Sequence, residues 1–262
     1  MLPLNLLVAS GFVVVQYDQC GCGESSPGAT NPELLTVQFY VDELAALVQH
    51  IGVADRFYLY GSSWGSMLAQ EFAIRTKAPG LAGMVLDGAL SDAQFYFLTQ
   101  WRDVLTPNVP TRTMERLRDL EARGAYEDPE YRAIEQWLSG QFTCRQTPRP
   151  ECWFASINGA NNFIYVGMQG ASEFTVGGVL KNWSVLQENA AVFVPTLVLA
   201  GEFDTMSRAC QQQVVDSLPC ALPLAVIARA AHCKLIDEPQ QCCAHVSKFV
   251  QTIETATSHQ ER

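Results

Sequence analysis

The chain has 262 residues, 48 % hydrophobic and 17 % charged, enough apolar material for a substantial core and unlike a disordered chain. Its formal net charge of -10 argues against a phosphate backbone or an anionic membrane surface as partner, so neither nucleic acid nor membrane is expected. No run of about eighteen apolar residues occurs, and no transmembrane helix is expected.

In chain order, the opening MLPLNLLVASGFVVV lacks a basic leading segment and is interrupted by Asn5, Ser10 and Gly11. It reads as a buried helix end followed by a strand, not as a signal peptide. Phe12 to Tyr17 is a continuous apolar, β-branched run, as expected of a strand buried on both faces. Asp18 to Gly28 is a Gly-rich loop that does not spell a dinucleotide fingerprint. Thr36 to Ile51 places Val37, Tyr40, Val41, Leu44, Leu47 and Val48 at helical spacing.

The segment Phe57 to Arg75 then reads as an apolar strand, a Gly-Ser-Ser-Trp-Gly turn and a helix starting near Trp64. The turn matches G-x-S-x-G with Ser63 at its centre. A nucleophile on so sharp a turn needs flanking positions nearly free of side chain, and Gly61 and Gly65 are expected to serve that need. The helix N-terminus behind Ser63 offers free N–H groups to a developing oxyanion. Met84 to Leu86 is a further strand, ending at Asp87-Gly88. Strands alternating with helices imply a mostly parallel sheet with helices on its faces, an α/β fold.

From Ser91 to about Asn189 the alternation stops. Helices are predicted at Ala93 to Leu105, Thr113 to Arg123 and Pro129 to Phe142. A Pro- and Cys-containing loop follows, then an aromatic, Gly-rich stretch from Trp153 to Gly178. Residues 91–189 are read as a helical cap inserted into a core made of residues 1–90 and 190–262. The sheet pattern resumes with Pro195 to Gly201, a helix around Gln211 to Ser217, the strand Leu222 to Ile227, and a final helix from Pro239 to about Glu254.

Asp204 and His232 each follow the C-terminal end of a predicted strand, where ligand sites form in open α/β sheets. The order Ser63, Asp204, His232 is that of α/β-hydrolases. A serine hydroxyl needs an imidazole to take its proton, and the imidazole needs a carboxylate to fix its tautomer. Asp87, also at a strand end, is the rival for the acid role. His50, His245 and His259 are expected at the surface. A serine at the elbow argues against dehalogenases and epoxide hydrolases of this fold, which need a carboxylate there. The nine cysteines and four histidines show no zinc spacing, so no metal and no cofactor is expected. Free thiols point to a reducing, cytoplasmic compartment, with a Cys144–Cys152 disulfide as the alternative.

Taken together and in order, VVVQYDQCGCGESS, YLYGSSWGSMLAQEFA, YVGMQGASEFTVGGVLKNW, PTLVLAGEFD and AAHCKLIDEP resemble proline iminopeptidases and their relatives, the tricorn-associated aminopeptidases and L-amino acid amidases. The resemblance covers nearly the whole chain. It implies a metal-free serine peptidase that removes an N-terminal residue or cleaves amino acid amides and esters. On that resemblance Ser63 is the nucleophile, His232 the base, Asp204 the orienting acid, and the Trp64 N–H one oxyanion donor. Glu173, in MQGASEF, matches a family glutamate that binds the substrate's free ammonium. Thr205 stands where some relatives carry a second carboxylate, which leaves broader amidase or esterase activity open. Family members also begin with strands leading into a His-Gly-Gly-Pro-Gly loop, the second oxyanion donor, and that motif does not occur here. The resemblance therefore implies a chain shortened at its front and lacking a central strand, with either a gap in the sheet or a re-pairing of its neighbours. A non-catalytic relative is the remaining alternative.

Overall fold

A computed structural model describes the backbone of residues 2–260 and the side chains of residues 3–258. Four strands form one parallel sheet among the described residues: β1 (Phe57–Ser62), β2 (Leu81–Asp87), β3 (Thr196–Gly201) and β4 (Ala225–Ile227), in that spatial order. β2 and β3 are almost wholly buried, with Met84, Leu86, Val198 and Leu199 at 0 % exposure, because helices cover both faces.

On one face lie α1 (Val37–His50) and α2 (Trp64–Thr76). Thr36 caps α1, its hydroxyl accepting from the Phe39 N–H at 3.3 Å, and Tyr40, Val41, Leu44 and Val48 form its buried stripe. The long C-terminal helix (Pro239–Gln260) covers the other face. There Val246, Phe249 and Val250 join Val85, Leu197, Leu199 and Ile227 in a second core.

The front of the chain differs from expectation. Leu2–Ser10 is a 3-10 helix that buries Leu4 and Leu7 in this second core. Phe12 to Tyr17, expected as a strand, has no regular secondary structure and joins no ladder. Phe12 and Val14 pack against the second core, while Val13 is 91 % and Val15 53 % exposed. An apolar β-branched run reports a preference for extended backbone, but only a neighbouring strand makes that backbone a ladder. Here β1 pairs with β2 alone among the described residues, and the two neighbours have not re-paired.

Between β2 and β3 the chain forms helices: α3 (Ala93–Thr99), α4 (Thr111–Ala122), α5 (Pro129–Phe142), α6 (Glu151–Asn158) and α7 (Asn162–Met168). The predicted helix to Leu105 is α-helical only to Thr99; residues Gln100–Leu105 form a π-helical turn. α6 begins at the end of the Cys144 to Cys152 loop, and α7 lies within the aromatic, Gly-rich stretch, to which no element was assigned. Asn161 caps α7, accepting from the N–H groups of Phe163 and Ile164. The π-helical turn, α4 and α5 bury Leu105, Leu117, Leu120, Tyr131 and Leu138 in a cluster of their own, while α3 and α7 bury Tyr96, Ile164 and Met168 in the core shared with α1 and α2. Ser91 and Asn189 meet over α2: the Ser91 hydroxyl donates to Gln70 Oε1 at 2.6 Å, and Asn189 Nδ2 donates to the same oxygen at 2.9 Å.

After β3, Ser207 caps α8 (Arg208–Ser217), a start three residues before the predicted one. All nine cysteines are free, so Cys144 and Cys152 are not bonded. His50 and His245 are exposed as expected, and the His259 side chain lies outside the described residues. No described helix is long and apolar enough to cross a membrane.

Candidate active site

The elbow is built as its spelling requires. Ser63 has φ 55° and ψ -116°, a conformation that costs a non-glycine residue of order 1–3 kcal/mol. It is held between β1 and α2: the Ser63 N–H donates to the Asp87 carbonyl at 2.9 Å, and its own carbonyl accepts from the Ser66 hydroxyl at 2.7 Å. Gly61 is obligatory, since a Cβ there would sit 2.0 Å from the Gly65 carbonyl oxygen. Gly65 is not symmetrical with it. A Cβ there would meet nothing within 4 Å, so the close approach is one-sided, contrary to expectation. Trp64 opens α2, and its N–H is among the first-turn donors that an α-helix leaves without an internal partner.

His232 Nδ1 lies 2.8 Å from Asp204 Oδ1, and the imidazole is 12 % exposed. Asp204 is buried and accepts on both oxygens, from the Met206 N–H at 2.9 Å and from Lys234 Nζ at 2.7 Å. Burial alone would push its carboxyl up, but the Lys234 ammonium and His232 outweigh it and hold it well below the usual carboxylate range. Asp87, the rival acid, does not reach His232. Its Oδ2 accepts from the Tyr60 hydroxyl at 2.5 Å and its Oδ1 lies 2.8 Å from Lys234 Nζ. The imidazole nonetheless lies against Gly88, where a Cβ would come within 2.6 Å of His232 Cε1. Because Ser63 hangs from the Asp87 carbonyl, serine and histidine share this strand end. No hydrogen bond joins their side chains in the unliganded geometry among the described residues.

Ser63 opens on a cavity of about 220 Å³. Its wall is largely apolar, with Met67, Leu90, Ile164 and Met206, and Glu173 lines the same space. The Glu173 carboxylate accepts a short hydrogen bond from the Tyr165 hydroxyl. Its backbone carbonyl is held by Gln100 Nε2 at 3.2 Å and by the Tyr96 hydroxyl at 3.3 Å. Gln100 is fully buried on the π-helical turn, and the same Nε2 reaches Thr205 Oγ1 at 2.8 Å. One amide thus links the Glu173 strap to the residue after Asp204. Glu135 on α5 stands near Glu173, and its carboxyl is raised first by burial and then by that neighbour's charge.

Lys234, Gln100, Tyr165 and Glu135 were not legible as site residues. For Lys234 a signal existed: it sits in an apolar run, Ala230-Ala231-His232-Cys233 before it and Leu235-Ile236 after, where a surface lysine is out of place. Loop residues also converge here. Trp64 Nε1 donates to Gln19 Oε1 at 3.1 Å, and Asn161 Nδ2 donates to the carbonyls of Gly21 and Ala29 at 2.9 and 2.8 Å. The Phe142 carbonyl at the end of α5 accepts from both Thr205 N–H (3.0 Å) and His232 N–H (3.1 Å).

The chain matches the family described as alpha/beta hydrolase fold over residues 4–239. It is 30 % identical over 209 residues to the proline iminopeptidase of Thermoplasma volcanium, covering 79 % of this chain and 69 % of that protein. To the proline iminopeptidase of Flavobacterium johnsoniae it is again 30 % identical over 209 residues, covering 78 % of this chain and 68 % of the relative. Among solved structures, the proline iminopeptidase of Mycobacterium smegmatis superposes with a TM-score of 0.89 at 29 % identity, covering 98 % of this chain and 85 % of that one. VinJ does so with the same TM-score and identity, covering 96 % and 85 %. A strained Ser63 turn at the C-terminal edge of a parallel sheet and likeness across most of the chain agree: this is a hydrolase of the α/β-hydrolase fold family, of the proline iminopeptidase type.

Proposed function

We propose that the chain is a serine aminopeptidase acting on small peptides or amino acid amides that carry a free N-terminus. The observation that carries the reading is the strained Ser63 opening on a cavity that Glu173 also lines. In this reading residues 91–189 form a cap, supported by the core that residues 104–142 share with Phe174 and by the meeting of Ser91 and Asn189 on α2. The substrate's ammonium pairs with Glu173, with the Glu135 charge behind it, and its apolar side chain fills the space beside Met67, Leu90 and Met206. Ammonium recognition by a carboxylate at the inner wall excludes substrates extended at the N-terminus.

His232 takes the Ser63 hydroxyl proton as the oxygen attacks the scissile carbonyl carbon, a contact that tightens once substrate is bound. The Trp64 N–H donates to the resulting oxyanion, aided by the α2 dipole. Asp204 holds the Nδ1–H tautomer, so that Nε2 faces the serine, and stabilises the imidazolium. The tetrahedral intermediate collapses as His232 protonates the leaving amine, giving an acyl-enzyme. Water, deprotonated by the same imidazole, then releases the free residue and restores Ser63.

Labelling by a fluorophosphonate probe tests the nucleophile: the wild-type protein is expected to label and Ser63→Ala is not. Free aminoacyl arylamides should be cleaved and their N-acetylated forms spared. Equal cleavage of both would remove the aminopeptidase assignment and leave a general amidase or esterase.

A further inference from the structure

Lys234 stands directly behind the Asp204–His232 pair, and a serine, a histidine and a carboxylate do not by themselves require it. Its side chain is completely buried, an environment that a lysine tolerates only against compensating charge. Two carboxylates supply it. Nζ donates to Asp204 Oδ2 at 2.7 Å and to the His232 carbonyl at 3.0 Å. It also forms an ion pair with Asp87 Oδ1 at 2.8 Å. Tyr60 completes the chain by donating to the other Asp87 oxygen.

We propose that Lys234 is a positioning residue for the reaction: it occupies one Asp204 oxygen so that the other faces His232 Nδ1, and it cancels one of the two buried carboxylate charges behind the imidazole. The role rests on the reading of His232 as the base. With His232 neutral, the cluster of Asp87, Asp204 and Lys234 carries one net negative charge; with His232 protonated it carries none. Without the lysine the same two states carry two and one. A second uncompensated carboxylate holds the proton on His232 more tightly, and less of the free base is then present at neutral pH.

The other ionisable groups packed around this cluster do not share its charge change. Burial pushes the thiols of Cys144, Cys233, Cys210 and Cys242 up, with Cys144 at about 11, and keeps the hydroxyls of Tyr60 and Tyr96 protonated. Asp237 is occupied by the N–H groups of Arg145 (2.9 Å), Gln146 (3.0 Å) and Ala231 (2.9 Å). Ser63, across the strand end, is neutral in the resting protein.

The test is a charge-compensation cycle read on the His232 imidazole itself. Its NMR titration, assigned with His232→Gln, is compared for the full chain, Lys234→Met, Asp87→Asn and the double variant. Lys234→Met is expected to raise the midpoint by about one pH unit and Asp87→Asn to lower it by a similar amount. The double variant returns it near the original value. Where turnover is measured, the acid limb of the kcat/KM profile moves with it. A merely structural lysine gives no opposed shifts and no restoration, and that result overturns the proposal. If Lys234→Met does not fold, Asp87→Asn alone decides: an unmoved or raised midpoint refutes it. The titration does not depend on activity, so failure of the serine-peptidase reading shows separately as absent probe labelling.

Discussion

At the scale of the single residue, function and stability pull against one another at Ser63. Its φ of 55° suits glycine, so Ser63→Gly should unfold at a higher temperature than Ser63→Ala, by about 1 kcal/mol, with both losing at least ~10³ in turnover. Thermal melts of the two inactive variants check this. Lys234 and Asp204 make an opposite pair in pH. The Asp204 carboxyl is held low in the fold, so its contribution is present above the ordinary carboxylate value of about 4 and is lost as pH falls through the lower folded value. Burial alone would lower the Lys234 ammonium's value, but the two carboxylates raise it overall, so its share is intact below about 10.4 and is lost as pH rises through the higher folded value. Lys234→Met should cost roughly 3–5 kcal/mol at neutral pH, because it strands buried carboxylates, and should flatten the acid-side decline in urea midpoints. At the cavity, Glu173→Gln should lower kcat/KM for free-amine substrates by about 10²-fold while leaving neutral esters near wild type. A collapse on both substrate classes would mean that Glu173 holds the cavity together and does not read the ammonium.

At the scale of elements, what was legible and what was not follow from where the information lies. β2 and β3 could be placed because a strand buried on both faces spells a continuous apolar run, whatever its neighbours are, and the half-buried β1 because its apolar run leads into the G-x-S-x-G turn. Asp204 and His232 could be placed because they follow such runs directly. Phe12 to Tyr17 has the same spelling and no ladder, because pairing belongs to the partner strand and not to the segment. The α6 and α7 helices were hidden by their short length and by the aromatics and glycines of the surrounding stretch, and the capping Asn161 was a local mark of the α7 boundary. The π-helical turn at Gln100–Leu105 left no periodic signal, because one shifted hydrogen-bond register leaves the apolar spacing nearly unchanged. It has consequences all the same. Gln100→Leu removes the amide that ties the Glu173 carbonyl to Tyr96 and Thr205, and should raise KM several-fold with a smaller fall in kcat. Equal falls in kcat and kcat/KM would instead place Gln100 in the chemical step.

At the scale of the whole molecule, the sheet of the described residues ends on β1, and Val13 and Val15 of the Phe12 to Tyr17 segment are turned outward. An edge of this kind invites pairing with another chain. Val13→Lys with Val15→Lys should lower light scattering at high concentration and leave probe labelling of Ser63 unchanged. The net charge of -10 works in the same direction as those lysines only in part, since it keeps copies apart at long range but is screened by salt. Two kinds of link cross between the helices of residues 91–189 and the rest of the chain. The Phe142 carbonyl that steadies both Thr205 and His232 is main chain, and any residue at that position supplies it. Asn161 steadies the Gly21 to Ala29 loop through its side-chain amide. A chimera that imports residues 91–189 from a relative therefore inherits the first link whatever its sequence. It inherits the second only if the donor has asparagine at that place, or if residues 18–29 travel with the graft although they lie far upstream in the gene.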